Sequence, residues 1–126
     1  MYYKRQEAFR YAFSKSIPAV CEVFESTGPD ERKKVQSFDA FILDISPSGL
    51  KAASKEALDP AADPILVFTF ELAGTLISFP GKMIRQRQAG SVYHYAVQSD
   101  GNEALKNQII DSLKRYTKEQ LKKSKR

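Results

Sequence analysis

Residues 43–52 read Leu43-Asp44-Ile45-Ser46-Pro47-Ser48-Gly49-Leu50-Lys51-Ala52, a polar turn set between two apolar runs. Phe41, Leu43 and Ile45 alternate with other residues as one strand enters the turn, and Gly49 to Ala52 leave it as another. Within the turn, the Asp and Ser side chains bond neighbouring backbone groups, Pro47 fixes one φ angle, and Gly49 supplies backbone freedom that the other residues lack. On its own, Asp-x-Ser-x-x-Gly is an ordinary hairpin connection. It predicts antiparallel β structure on both sides.

The strand signal continues outward from this turn. Upstream, Arg10-Tyr11-Ala12-Phe13 and Ala19 to Glu25 read as extended, separated by Pro18, which lacks a ladder donor and suits the start of a strand. Residues 26–36, with Gly28-Pro29-Asp30 at their centre, read as a hairpin loop, and a strand returns over 37–45. Downstream, residues 54–64 carry Pro60 and Pro64 and read as a loop. In Ile65-Leu66-Val67-Phe68-Thr69-Phe70-Glu71-Leu72 the set Leu66, Phe68, Phe70 and Leu72 shares one face, with Thr69 and Glu71 on the other, as in a half-buried antiparallel strand. Ala73-Gly74 is the next turn. Residues 75–79 and 82–87 read as one long strand bent near Pro80-Gly81, and 91–98 follows with Tyr93, Tyr95 and Val97 on one face. Short antiparallel strands with tight turns imply a barrel or a sandwich.

The period changes near the end of the chain. Asp100 followed by Glu103 resembles a capping box, and Leu105, Ile109, Leu113 and Tyr116, with Ile110, Thr117 and Leu121, recur at helical spacing. One amphipathic helix is expected over 101–121, its apolar stripe covering an open end or edge of the barrel. Residues 122–126 form a basic tail suited to a helix C-terminus.

At 126 residues and 42% hydrophobic, the chain is expected to form one domain, 1–126. The single cysteine, Cys21, excludes an internal disulfide and a cysteine-based metal site and fits a reducing compartment. No run has the length of a signal core or a membrane span, so no transmembrane segment and a cytoplasmic location are expected. The net charge of +5 admits nucleic acid, an anionic surface or a phosphorylated small molecule as partner. Much of it lies at the ends, in Lys114, Arg115, Lys118, Lys122, Lys123, Lys125 and Arg126, and in Lys4, Arg5 and Arg10. Residues 1–10 have neither helical nor strand periodicity and read as an arginine-bearing arm ahead of a barrel over 11–98.

Catalytic chemistry finds little support. The only histidine, His94, alternates onto the face opposite Tyr93 and Tyr95, and no Ser, Cys or Asp stands at triad or metal-ligand spacing from it. There is no phosphate-binding glycine loop and no nucleophile elbow. The expectation is a protein that is not an enzyme and has no metal or cofactor. Binding fits better. Guanidinium groups clamp phosphates by bidentate hydrogen bonds and stack on planar rings, and a carboxylate in the turn accepts from a base or a ribose hydroxyl. A basic arm beside such a turn suits a nucleotide with more than one phosphate.

These residues carry a resemblance. The arm Arg5-Gln6-Glu7-Ala8-Phe9-Arg10, the turn Asp44-Ile45-Ser46-Pro47-Ser48-Gly49, and then Pro80-Gly81-Lys82-Met83-Ile84-Arg85 and Tyr93-His94-Tyr95-Ala96-Val97-Gln98 together resemble a PilZ domain over nearly the whole chain. The resemblance implies a mainly β fold, a six-stranded antiparallel barrel with a C-terminal helix. It also implies a bacterial receptor for cyclic di-GMP, enclosed by an Arg-x-x-x-Arg arm and an Asp/Asn-x-Ser-x-x-Gly turn. Carried onto this sequence, the ligand residues are Arg5, Arg10, Asp44, Ser46 and Gly49, with Lys4, Gln6 and Arg85 as further contacts. The turn matches in full. In the arm, the position four before Arg10 is Gln6, and Arg5 stands one residue further on. The implied function is a receptor, monomer or homodimer, whose rearranged arm and barrel surface is read by a protein partner in motility, adhesion or exopolysaccharide control, with no DNA partner. The alternative is a PilZ-type interaction module with weak or no nucleotide binding because Gln6 replaces an arm arginine. A third reading, a small barrel for single-stranded nucleic acid, would use the basic charge and surface aromatics.

Overall fold

The computed structural model describes residues 10–124, so Lys4, Arg5 and Gln6 lie outside the described residues. Six strands, β1 (Tyr11–Gly28), β2 (Glu31–Ser46), β3 (Gly49–Ser54), β4 (Ile65–Leu72), β5 (Thr75–Ala89) and β6 (Val92–Ser99), precede one helix, α1 (Glu103–Ser124). All pairings are antiparallel in the order β1-β2-β3-β6-β5-β4, and β1 returns to pair with β4, closing a barrel. The expected six-stranded β class with a terminal helix is the observed one.

Period-2 alternation builds the core. Leu66, Phe68, Phe70 and Leu72 point inward from β4, facing Ile77 and Phe79 of β5 and Tyr95 and Val97 of β6, all buried. Gly81 permits the close approach of β5 to β6, because a Cβ there would sit 2.5 Å from the Gln98 carbonyl oxygen. Leu105, Ile109 and Leu113 of α1 join the same core and close the barrel end near the Ala73-Gly74 turn, where Arg115 donates to Thr75. The loop after β3 is held against the other end. Gln86 accepts from the Leu58 N–H at 2.8 Å and donates to the Leu58 carbonyl at 3.0 Å, and Tyr95 donates to the Glu56 carbonyl. Tyr11 and Phe13 at the start of β1 stack edge to face with Tyr116 of α1, with centroids 5.8 and 5.3 Å away.

Several local expectations are corrected. Residues 26–36 are strand, and the β1–β2 connection shrinks to Pro29-Asp30, since pairing runs out to Gly28 and Glu31. The β1–β4 pairing ends at Phe24, so this hairpin projects with both faces in water, and its polarity marks exposure rather than a loop. Pro18 lies inside β1, one residue before the β4 ladder begins at Ala19, where no second strand needs its missing N–H. Phe41, Leu43 and Ile45 do not share a face. Leu43 is the extra residue of a bulge between the pairs Ile42–Ala52 and Asp44–Lys51, so Ile42 and Ile45 are both buried and Phe41 is exposed.

The helix starts later than expected. Asn102, not Asp100, is its cap, accepting from the Leu105 N–H at 2.9 Å, while Asp100 accepts from the Asn102 N–H at 3.1 Å. Leu121 is 61% exposed, so the buried stripe ends before it.

Candidate functional site

The bulge at Leu43 creates the site. Without it, Asp44 would follow Ile42 into the core. With it, the Asp44 carboxylate turns outward at the barrel rim and remains only 15% exposed. Arg10, immediately before β1, donates its guanidinium to that carboxylate as a charge-assisted ion pair.

Ser46 closes the turn from within. It is fully buried, and its Oγ accepts from the Gly49 N–H at 3.2 Å and donates to the Gly49 carbonyl at 3.3 Å, across the two-residue connection Pro47-Ser48. The turn is then tied to the barrel by the Ser99 N–H, which donates to the Ser48 carbonyl at 2.9 Å. Gly49 is required for this packing: a Cβ there would meet the Val97 carbonyl oxygen at 2.9 Å. The hydroxyl and the glycine of the turn thus hold backbone against backbone, while Asp44 and Arg10 present charge.

Arg10, Ser48 and Gly49 line a groove of about 260 Å³ on the outside of the barrel, continued by Lys51, Arg85 and Gln98. Arg85 and Lys51 enter it because each pairs with Ala96 from opposite sides of β6. Their long cationic side chains flank a small residue. Lys82 is drawn aside into an ion pair with Asp63 at 3.5 Å. Lys51 was not singled out by sequence reading, although it lies two residues after the turn motif, where strand alternation keeps it on the face of Gly49.

The structure therefore brings together Arg10, Asp44, Ser46, Gly49 and Arg85 of the sequence-derived set, whereas Lys4, Arg5 and Gln6 lie outside the described residues. His94 faces outward between Ala53 and Arg87. Among the described residues no group of three or more His, Cys, Asp or Glu is placed to hold a metal ion. No helix among them is long and apolar enough to cross a membrane. Cys21 faces the core, and burial first, then the neighbouring Glu22, pushes its thiol up to about 12, which removes it from nucleophilic chemistry near neutrality.

The model of the PilZ domain family matches residues 4–115. Among solved structures, the crystal structure of the PilZ domain of CeSA from a cellulose-synthesizing bacterium is similar in fold, with a TM-score of 0.54 at 16% identity over 80% of this chain and 90% of that one. No curated protein matches the chain.

Proposed function

The chain belongs to the PilZ domain family, and on that premise we propose that it is a cytoplasmic receptor for cyclic di-GMP, the ligand that PilZ domains generally bind. The observation that carries this reading is the convergence of Arg10 and the Asp44-to-Gly49 turn at one rim of the barrel, on a groove that Lys51 and Arg85 make cationic. Arg10 would meet a phosphate or stack on a guanine, Asp44 would accept from a guanine edge, and Arg85 and Lys51 would add positive charge beside the phosphates. Ser46 and Gly49 contribute by holding the turn in shape. Arg5, with Lys4 and Gln6, would complete the clamp from the segment preceding Arg10. Binding would reorder that arm against the barrel, and the changed surface would be read by a partner protein.

Calorimetry with cyclic di-GMP tests the reading. The native chain should bind, and Arg10→Ala and Asp44→Ala should each lose most of the heat. A second reading is favoured by one residue, Gln6, which keeps hydrogen-bond donors and lacks charge: a PilZ-type interaction module that binds nucleotide weakly or not at all. No heat for the native chain together with clear binding by Gln6→Arg would establish that second reading and overturn the first.

A further inference from the structure

Three consecutive strands of the barrel, β3, β6 and β5, contain no Asp or Glu, whereas β1, β2 and β4 each carry at least one. The outward positions of the acid-free strands hold Lys51, Arg85, Arg87 and His94. The register arranges them in two rungs across β6. Ala96 lies between Lys51 and Arg85, and His94 lies between Ala53 and Arg87. The small side chains leave a trench of about 290 Å³ along β6, lined by Lys51, Arg85, Arg87 and His94. Lys51, Arg85 and Arg87 are exposed, and none of the ion pairs among the described residues involves them. Adjacent rungs are two residues apart along each strand, a spacing of about 6.8 Å.

We infer that this trench binds an extended acidic segment of a partner protein, one with carboxylates on alternate residues. An extended chain places alternate side chains on one face at about 6.8 Å, the pitch of the rungs. One carboxylate then falls between Lys51 and Arg85 and the next beside Arg87 and His94, where arginine offers a bidentate fork. A small-anion pocket fits the trench less well. At the trench β3 and β6 are paired on both sides, and β5, whose pairing with β4 ends at Lys82, is paired with β6, so the backbone lies in extended ladders instead of converging N–H groups on an oxyanion as phosphate loops and helix termini do. Single-stranded nucleic acid also fits less well. Its bases need aromatic faces to stack on, and the trench offers only the His94 ring and Tyr95, which is 1% exposed, beside Ala96 and the three cations.

The test is fluorescence anisotropy on the whole chain with a labelled peptide of alternating Glu and Thr, its Gln-Thr twin and a labelled oligothymidylate, all without cyclic di-GMP. The Glu-Thr peptide should bind and should weaken steeply as salt is raised. Arg87→Gln and Lys51→Gln should each reduce affinity roughly threefold to tenfold. Lys15→Gln, exposed on β1 across the barrel, should leave it unchanged, and melting curves would confirm that all variants fold. Equal binding of the Gln-Thr twin, equal loss with Lys15→Gln, absence of peptide binding, or tighter binding of oligothymidylate would each overturn the inference. Because nucleotide is absent throughout, failure here leaves the cyclic di-GMP reading standing, and failure of that reading leaves this one.

Discussion

Arg10 reaches from the residue before β1 to the carboxylate of Asp44 near the end of β2, a contact between positions 34 apart in sequence. Arg10 is the more exposed partner, at 38% against 15%. An ion pair this open contributes about 1 kcal/mol or less to stability once solvent screening is counted. A charged hydrogen bond to a ligand phosphate is worth roughly 1.5–3 kcal/mol. Arg10→Ala is therefore expected to weaken cyclic di-GMP about tenfold to a hundredfold, while thermal melting shifts by only a few degrees, about 5 °C at most. Calorimetry and melting on the same variant separate the two effects.

Changes within the turn should have the opposite profile. Gly49→Ala drives a methyl group against the Val97 carbonyl oxygen, and overpacking of this kind costs about 1–3 kcal/mol. Ser46→Ala leaves the buried Gly49 N–H without its partner, at a cost of about 1–3 kcal/mol. Urea denaturation should show both variants destabilised, with ligand affinity falling only as far as the turn loses its shape.

A gain in stability is expected at the tip of the β4–β5 hairpin. Ala73 and Gly74 form a two-residue turn with φ of 51° and 80°, and a left-handed conformation suits asparagine better than alanine. Ala73→Asn should raise stability by roughly 0.5–1 kcal/mol, seen as a higher urea midpoint.

Alkaline pH should loosen the core. Burial is the main cause that raises the Cys21 thiol from 9.0 to about 12 and the Tyr95 phenol from 10.0 to about 12. In both cases the folded chain holds its proton more tightly than the unfolded chain. The stability so linked is intact below the unfolded values and is lost as pH rises from about 9 towards 12. The melting temperature should be flat from neutrality to about pH 9 and fall beyond it, and Cys21→Val should begin that fall nearer pH 10, where Tyr95 takes over. In the native chain Cys21 should resist a thiol reagent at about pH 8 and react once urea is added.

Tyr116 and Leu121 of the helix differ in burial. Tyr116→Ala removes a ring that touches both Tyr11 and Phe13 and should cost about 2–3 kcal/mol, somewhat less than truncation of a fully buried aromatic. Leu121→Ala, at a position 61% exposed, should cost less, about 0.5 kcal/mol. Chemical denaturation of the two variants side by side checks the contrast.

Most of the barrel was legible because its strands present one wet and one dry face. Leu66 to Leu72 alternate without interruption, and their inward set is the one found in the core. Legibility failed where that condition failed. The β1–β2 hairpin beyond Phe24 has two wet faces and reads as a loop, and the bulge at Leu43 breaks the period that alternation depends on. That same bulge sets the direction of Asp44, so the turn motif could be read from the sequence while its outward presentation could not. Arg10 was legible as a basic residue, but its partner across β1 and β2 follows only from the register. The cationic rungs at Lys51, Arg85 and Arg87 come from three separate segments and align only when β6 is inserted between β3 and β5. The one local hint was the lack of acids in those segments.

The contact of Tyr11 and Phe13 with Tyr116 joins the first strand to the last helix. Closing a loop that long carries a large entropic cost in an unfolded chain, so this clasp forms after the barrel has already brought its two halves together. Contacts made late in this way tend to be the first released in native-state openings. Amide hydrogen exchange should therefore find Tyr11 and the turn of α1 around Tyr116 opening together, well before β4. Since Arg10 is bonded directly to Tyr11, Arg10 and the helix turn around Tyr116 share one fate, and slowing of exchange at both when nucleotide is added would follow from that joint.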